Sequence, residues 1–178
     1  YDKILLVPFG EFVPRYFTFV NRITREAGDF VAGSELIVVP LGERRVAAFI
    51  CYEAAFPHLV RQFVRRGAEA LFNLSNDGYF GHTAARQQHL LLARMRAAEN
   101  RRWLIRATDN GITGAIDPAG RLVQVFPEYE EMAAALRFSY RADETPYTRW
   151  GDWFAWSCLG LGLTLAAWSW LPHYQPAR

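Results

Sequence analysis

The chain has too few cysteines to be held by a disulfide framework: Cys51 and Cys158 are the two among 178 residues. Cys51 closes a β-branched, apolar run, whereas Cys158 sits in a stretch rich in tryptophan and leucine. Their surroundings differ so much that pairing is not expected, and each is read separately. Metal-ligand spacing is lacking too. His82 and His89 lie seven positions apart, which matches neither a zinc-binding i, i+4 pair nor a Cys/His cluster. No glycine-rich loop precedes a helix, so nucleotide binding is unsupported and no cofactor is expected. No block of one charge stands out either: the net charge of +2 comes from arginines spread over helical stretches, and it gives no ground for a nucleic-acid partner. Repeats and low-complexity segments are absent. Neither a methionine nor a basic lead-in precedes Tyr1-Asp2-Lys3, so a signal peptide is not expected and the chain reads as a piece of a longer one.

What is present is apolar material, 51% hydrophobic and 15% aromatic residues, enough for one packed domain. Ile4 to Val7 reads as a short buried strand, followed by the turn-rich loop Pro8 to Pro14. Glu35 to Val39 and Arg45 to Cys51 read as strands of a hairpin joined through Pro40 to Arg44. Pro57 suits a first helical turn, and Leu59, Val60, Phe63 and Val64 keep helical spacing until Gly67. Ala70 to Leu74 is a strand candidate, and Ser75 to Gly81 a polar and aromatic loop. From Ala84 to about Arg101 a helix is expected, with Leu91, Met95 and Ala98 on one face and Arg94, Glu99 and Arg101 on the other. Four more strands are expected at Trp103 to Ala107, Ile112 to Ile116, Leu122 to Phe126 and Met132 to Phe138. Asp117-Pro118-Ala119-Gly120 is a turn. Strands flanked by helices, then a run of strands, suggest a layered α/β domain with helices outside the sheets.

Composition then changes abruptly. Trp153 to Leu171 carries no charged residue, and Pro172 closes it. A helix of about 19 residues is long enough to cross a hydrocarbon core of about 30 Å, so a transmembrane span is expected over 153–171. Trp150, Trp153 and Trp156 near one end and Trp168 and Trp170 near the other suit an aromatic belt at both interfaces.

Chemistry is expected at the strand-to-helix junction. A thiol on such a tight turn has backbone N–H groups beside it that can stabilise a tetrahedral oxyanion. The same field favours the nucleophilic thiolate. A lone cysteine after an apolar run is by default a packing residue, and what moves Cys51 out of that default is the order of the motifs around it.

Cys51-Tyr52-Glu53 after Val46 to Ile50 resembles the nucleophile elbow of the nitrilase superfamily, and Tyr1 to Leu6 resembles the segment that bears its catalytic lysine. Met95 to Asn100 and Thr108 to Thr113 resemble the helix and strand that follow. Leu6 to Pro14, Ser75 to Gly81 and Thr145 to Asp152 are similar to signatures of one membrane branch, the apolipoprotein N-acyltransferases. Tyr79 stands where that branch is expected to show Trp, and Asp109 where it often shows Asn.

The resemblance implies a partial nitrilase-like αββα sandwich over residues 1–148, then a juxtamembrane segment, a transmembrane helix and a short tail over 149–178. It implies transfer of an acyl chain from a phospholipid to Cys51 and on to the N-terminal amine of a diacylglyceryl lipoprotein. The domain would face the periplasm from the bacterial inner membrane. Cys51 is then the nucleophile, Lys3 the oxyanion-stabilising cation, Glu11 a carboxylate orienting Lys3 or the amine, and Glu53 a carboxylate near the thiol. Tyr52, Asn76, Tyr79 and Phe80 are expected to bind substrate. The superfamily's general-base glutamate is expected upstream of Lys3, which would leave the isolated 178 residues inactive. Two other readings use the same fold: an amidase in which water resolves the thioester, and a catalytically dead, membrane-tethered binding module.

Overall fold

The hairpin forms where turn chemistry places it: β1 (Val39–Leu41) and β2 (Arg44–Ile50) pair antiparallel, with Gly42 in the turn at φ 62°, a left-handed conformation that glycine adopts without steric penalty. The first strand begins at Val39 rather than Glu35, and Cys51 lies just beyond β2. This computed structural model describes residues 1–13 and 30–170. Pro14 of the expected loop, Leu171 and Pro172 at the expected span's end, and the tail to residue 178 lie outside the described residues.

From β2 the chain runs through α1 (Pro57–Arg65), β3 (Ala70–Ser75), α2 (Ala85–Asn100) and β4 (Trp103–Thr108). β2, β3 and β4 are parallel neighbours, and β5 (Gly114–Ile116) and β6 (Leu122–Val125) add antiparallel to give one sheet ordered β1 to β6. Successive right-handed crossovers advancing in one direction put their helices on one face, and α1 and α2 share a core there with Phe49, Leu71 and Leu104. Phe63 of α1 is fully buried in that core; cutting it to alanine is expected to cost about 3–5 kcal/mol. One sheet with a helical layer on one face is a layered α/β arrangement.

Four expectations change. Ile4 to Val7 is not a strand, because the N–H groups of Ile4 and Leu5 go to the Glu53 carboxylate instead of a ladder. Met132 to Phe138 also stays outside the sheet; Phe138 packs edge-on against Phe72, with ring centroids 5.9 Å apart. On α2 the inward face is not Leu91, Met95 and Ala98, which are exposed, but His89, Leu90, Ala93, Arg96, Ala97 and Asn100. Apolar periodicity misled because the buried face carries a polar network.

The fourth change concerns α4 (Trp153–Trp170). Among the described residues no helix is long and apolar enough to cross a membrane, which corrects the expected span over 153–171. The 18 residues of α4 fall within the range of spanning lengths, but its tryptophans, glycines and serines lower its mean hydropathy. All its residues are exposed.

A short helix not anticipated from the sequence, α3 (Pro146–Trp150), precedes it. Thr145 caps α3 by accepting the Thr148 N–H at 2.9 Å, with proline at the first turn. Arg61 of α1 donates to the carbonyls of Tyr147, Thr148 and Arg149 at 2.8, 2.9 and 3.0 Å. That guanidinium satisfies the C-terminal acceptors that a helix end leaves open.

Candidate active site

In open α/β sheets the site gathers beyond the carboxyl ends of the parallel strands, and β2 and β3 deliver Cys51 and the Ser75–Asp77 segment there. Cys51 has φ 50°, a left-handed backbone that costs a non-glycine residue about 1–2 kcal/mol. It opens a short 3₁₀ helix, Cys51–Ala55. Glu53, fully buried, stitches the turn together: one carboxylate oxygen accepts the Ile50 N–H at 2.7 Å. The other accepts the N–H groups of Ile4 and Leu5 at 2.7 and 3.2 Å and the Tyr1 hydroxyl at 2.8 Å. Burial, then the hydrogen bond to Glu53 and its negative charge, push the Tyr1 phenol far above its ordinary range. Tyr1 also packs edge-on against Phe63, with ring centroids 5.6 Å apart. Glu53 thereby ties the segment bearing Lys3 to the elbow bearing Cys51.

Lys3 meets Glu11 through a two-pronged contact, Nζ to the two carboxylate oxygens at 2.6 and 2.7 Å. Glu11 also accepts the Val7 N–H at 2.8 Å, which fixes the carboxylate before it meets the ammonium. The Lys3 side chain is 9% exposed, that of Glu11 26%.

Glu11 and Cys51 line one cavity of about 510 Å³, mostly apolar, together with Tyr52, Asn76, Tyr79 and Phe80. All four expected substrate-binding residues therefore stand on its wall, as do two of the four expected catalytic ones. Lys3 reaches the cavity through Glu11, and Glu53 lies behind the elbow rather than on the lining. Asn76 accepts the Gly78 N–H at 2.9 Å and so shapes the loop that presents Tyr79 and Phe80. Among the described residues no three His, Cys, Asp or Glu side chains gather as metal ligands would.

A buried network behind the sulfur was not anticipated. His89 on α2 places Nε2 2.9 Å from the Cys51 carbonyl oxygen and Nδ1 2.9 Å from Asp77. Asp77, fully buried, also receives Arg106 Nη2 at 2.6 Å and the Ser75 hydroxyl at 2.6 Å. Arg106 Nη1 donates to Asn73, its neighbour in the β3–β4 register. Burial alone would raise the Asp77 pKa. Hydrogen bonds from His89, Ser75 and Arg106, with the positive charge of Arg106, outweigh it and hold the carboxyl well below the usual range. A Cβ on Gly111 would fall 2.3 Å from Asp77 Oδ2, so glycine is required against that carboxylate. The signal for this network stood in the sequence: an arginine in the middle of the apolar strand Trp103 to Thr108 needs a buried partner.

The carbon-nitrogen hydrolase family model matches residues 1–143, and the chain belongs to that family. Within it, the chain is similar to curated proteins named apolipoprotein N-acyltransferase. That of Geobacter metallireducens is 39% identical over 93% of this chain and 32% of its own length. The Methylococcus capsulatus protein is 41% identical over 86% of this chain and 31% of its own length. The chain thus spans about a third of the length of these relatives. Among solved structures it is similar to Saccharomyces cerevisiae Nit3 of the nitrilase superfamily, with TM-score 0.53 and 25% identity over 60% of this chain and 42% of that one. An amidase from Nesterenkonia sp. AN1, with acrylamide added at its active-site cysteine, gives TM-score 0.50 and 22% identity over 71% of this chain and 46% of that one. The amidase likeness shows the shared fold.

Proposed function

We propose that these residues form the acyl-carrying part of an apolipoprotein N-acyltransferase. The observation that carries the reading is that Cys51 and the Lys3-bound Glu11 share the wall of a mostly apolar cavity, in a chain whose curated relatives bear that name.

In the first step the Cys51 thiolate attacks the ester carbonyl of a phospholipid. The ammonium of Lys3 stabilises the tetrahedral oxyanion, and the bond to the glycerol oxygen breaks as that oxygen takes a proton. Cys51 keeps the acyl group as a thioester. In the second step the N-terminal amine of a diacylglyceryl lipoprotein attacks the thioester, an amide forms, the amine loses a proton and the thiolate leaves. Glu11 holds Lys3 in place, Glu53 positions the elbow, and Tyr52, Asn76, Tyr79 and Phe80 bound the space for the acyl chain. A general base from outside these residues handles the proton, so the purified 178-residue chain is inactive by itself.

α4 is apolar around its whole circumference and exposed. It supplies contact with the membrane from which the acyl donor comes, the bacterial inner membrane, with the α/β domain on the periplasmic side.

Incubating the full-length protein with phospholipid and measuring intact mass tests this. An acyl adduct on Cys51, absent in Cys51→Ser and discharged by an amine-bearing lipopeptide, is expected. Discharge by water alone would make the protein an amidase-like hydrolase, and no adduct would make it an inert module.

A further inference from the structure

Resting on the reading of Cys51 as the nucleophile, the geometry points to His89 as a positioning residue that holds the Cys51 peptide in its left-handed turn. The Cys51 carbonyl can only accept a hydrogen bond, so the 2.9 Å contact requires His89 Nε2 to carry a proton and donate it. The ring is oriented from its other side, where Nδ1 lies 2.9 Å from Asp77 Oδ1 and 3.2 Å from Arg106 Nη2. Asp77 is in turn fixed by Arg106 and Ser75. Phe80 stands edge-on to the ring, with centroids 5.6 Å apart.

The consequence lies in the backbone. Cys51 is not a glycine, and φ 50° is a conformation that it keeps only while neighbours over-determine it. Glu53 fixes the N–H of the residue before, and His89 fixes the carbonyl of Cys51 itself. With one end tied and the other free, the peptide relaxes and the sulfur leaves its place on the cavity wall. His89 thus acts through Cys51 rather than on substrate, a role that its position in mid-helix and its burial both conceal.

The test is the rate at which iodoacetamide alkylates Cys51 in the full-length protein, followed by mass, beside kcat and KM for acyl transfer and a melting curve. His89→Gln places an amide N–H near the Nε2 position, whereas His89→Asn, one methylene shorter, reaches only the Nδ1 position. His89→Gln is expected to recover most of the wild-type alkylation rate. His89→Asn and His89→Leu are expected to lower both that rate and kcat by about tenfold to a hundredfold, the scale of a misplaced reacting group, with KM little changed. Equal rates in wild type and His89→Asn, or a His89→Gln variant as slow as His89→Asn, would overturn the inference. The two amide variants keep the test decisive should His89→Leu fail to fold. Acyl transfer that survives Cys51→Ser would instead remove the nucleophile reading itself, whatever His89 does.

Discussion

Behind Cys51, Asp77, His89 and Arg106 are buried and hydrogen-bond one another. In front of it, Glu11 stands partly exposed at the cavity with Lys3, and Tyr79 is 89% exposed. A buried ion pair loses far more when one partner is removed than an exposed one, because the remaining charge has no water to turn to. The rear wall is therefore where folding is vulnerable, and the front wall is where the proposed chemistry falls.

That contrast breaks first at Arg106. Arg106→Met leaves the Asp77 carboxylate without its cation and is expected to destabilise by about 3–5 kcal/mol in urea unfolding; a loss under 1 kcal/mol would place the two walls on equal terms. In the full-length protein, Lys3→Met is expected to lower kcat by about 10²–10³-fold, the scale of one lost oxyanion donor, and to cost less stability than Arg106→Met, because the Glu11 carboxylate it leaves is partly exposed. Glu53→Gln should behave as a rear-wall change, costing about 1–3 kcal/mol for unsatisfied donors at the elbow.

Acid sharpens the same comparison. The Asp77 pKa is depressed in the folded protein, so its contribution is complete above the unfolded carboxylate value of about 4 and is lost as pH falls through that value towards the folded one. The melting temperature should fall in that window, and in Asp77→Asn this part of the slope should vanish. The smallest effect belongs to Tyr79→Ala, with stability within about 0.5 kcal/mol of wild type and a raised KM for the acyl donor.

Much of this architecture could be read before any coordinates. α1, β3, β4 and the second strand of the hairpin appeared within a few residues of their expected bounds, since apolar spacing and the stop at Gly67 are local signals, whereas the first strand shares only Val39 with its expected range. The elbow at Cys51 and the loop of Asn76, Tyr79 and Phe80 were legible through motif order, and all four side chains line the cavity. Long-range partners escaped. Ile4 and Leu5 look like a strand until Glu53, far along the chain, takes their N–H groups. α2 was rotated in expectation because periodicity counts apolar residues, and its inward face includes His89, Arg96 and Asn100. The signal for α3 is equally local, a threonine cap followed by proline at the first turn. The charge-free run over 153–171 suggested more than the helix delivers, since absence of charge is not the same as sufficient hydropathy.

Arg61 also has a mechanical meaning. Its guanidinium holds the last carbonyls of α3, immediately before the chain turns at Gly151 into the tryptophan-rich rod. It springs from α1, the helix that descends from the Cys51 turn. Any tug on the rod is thus shared between α1, through this planar cation, and α2, where the Thr148 hydroxyl donates to Asn100 at 3.0 Å.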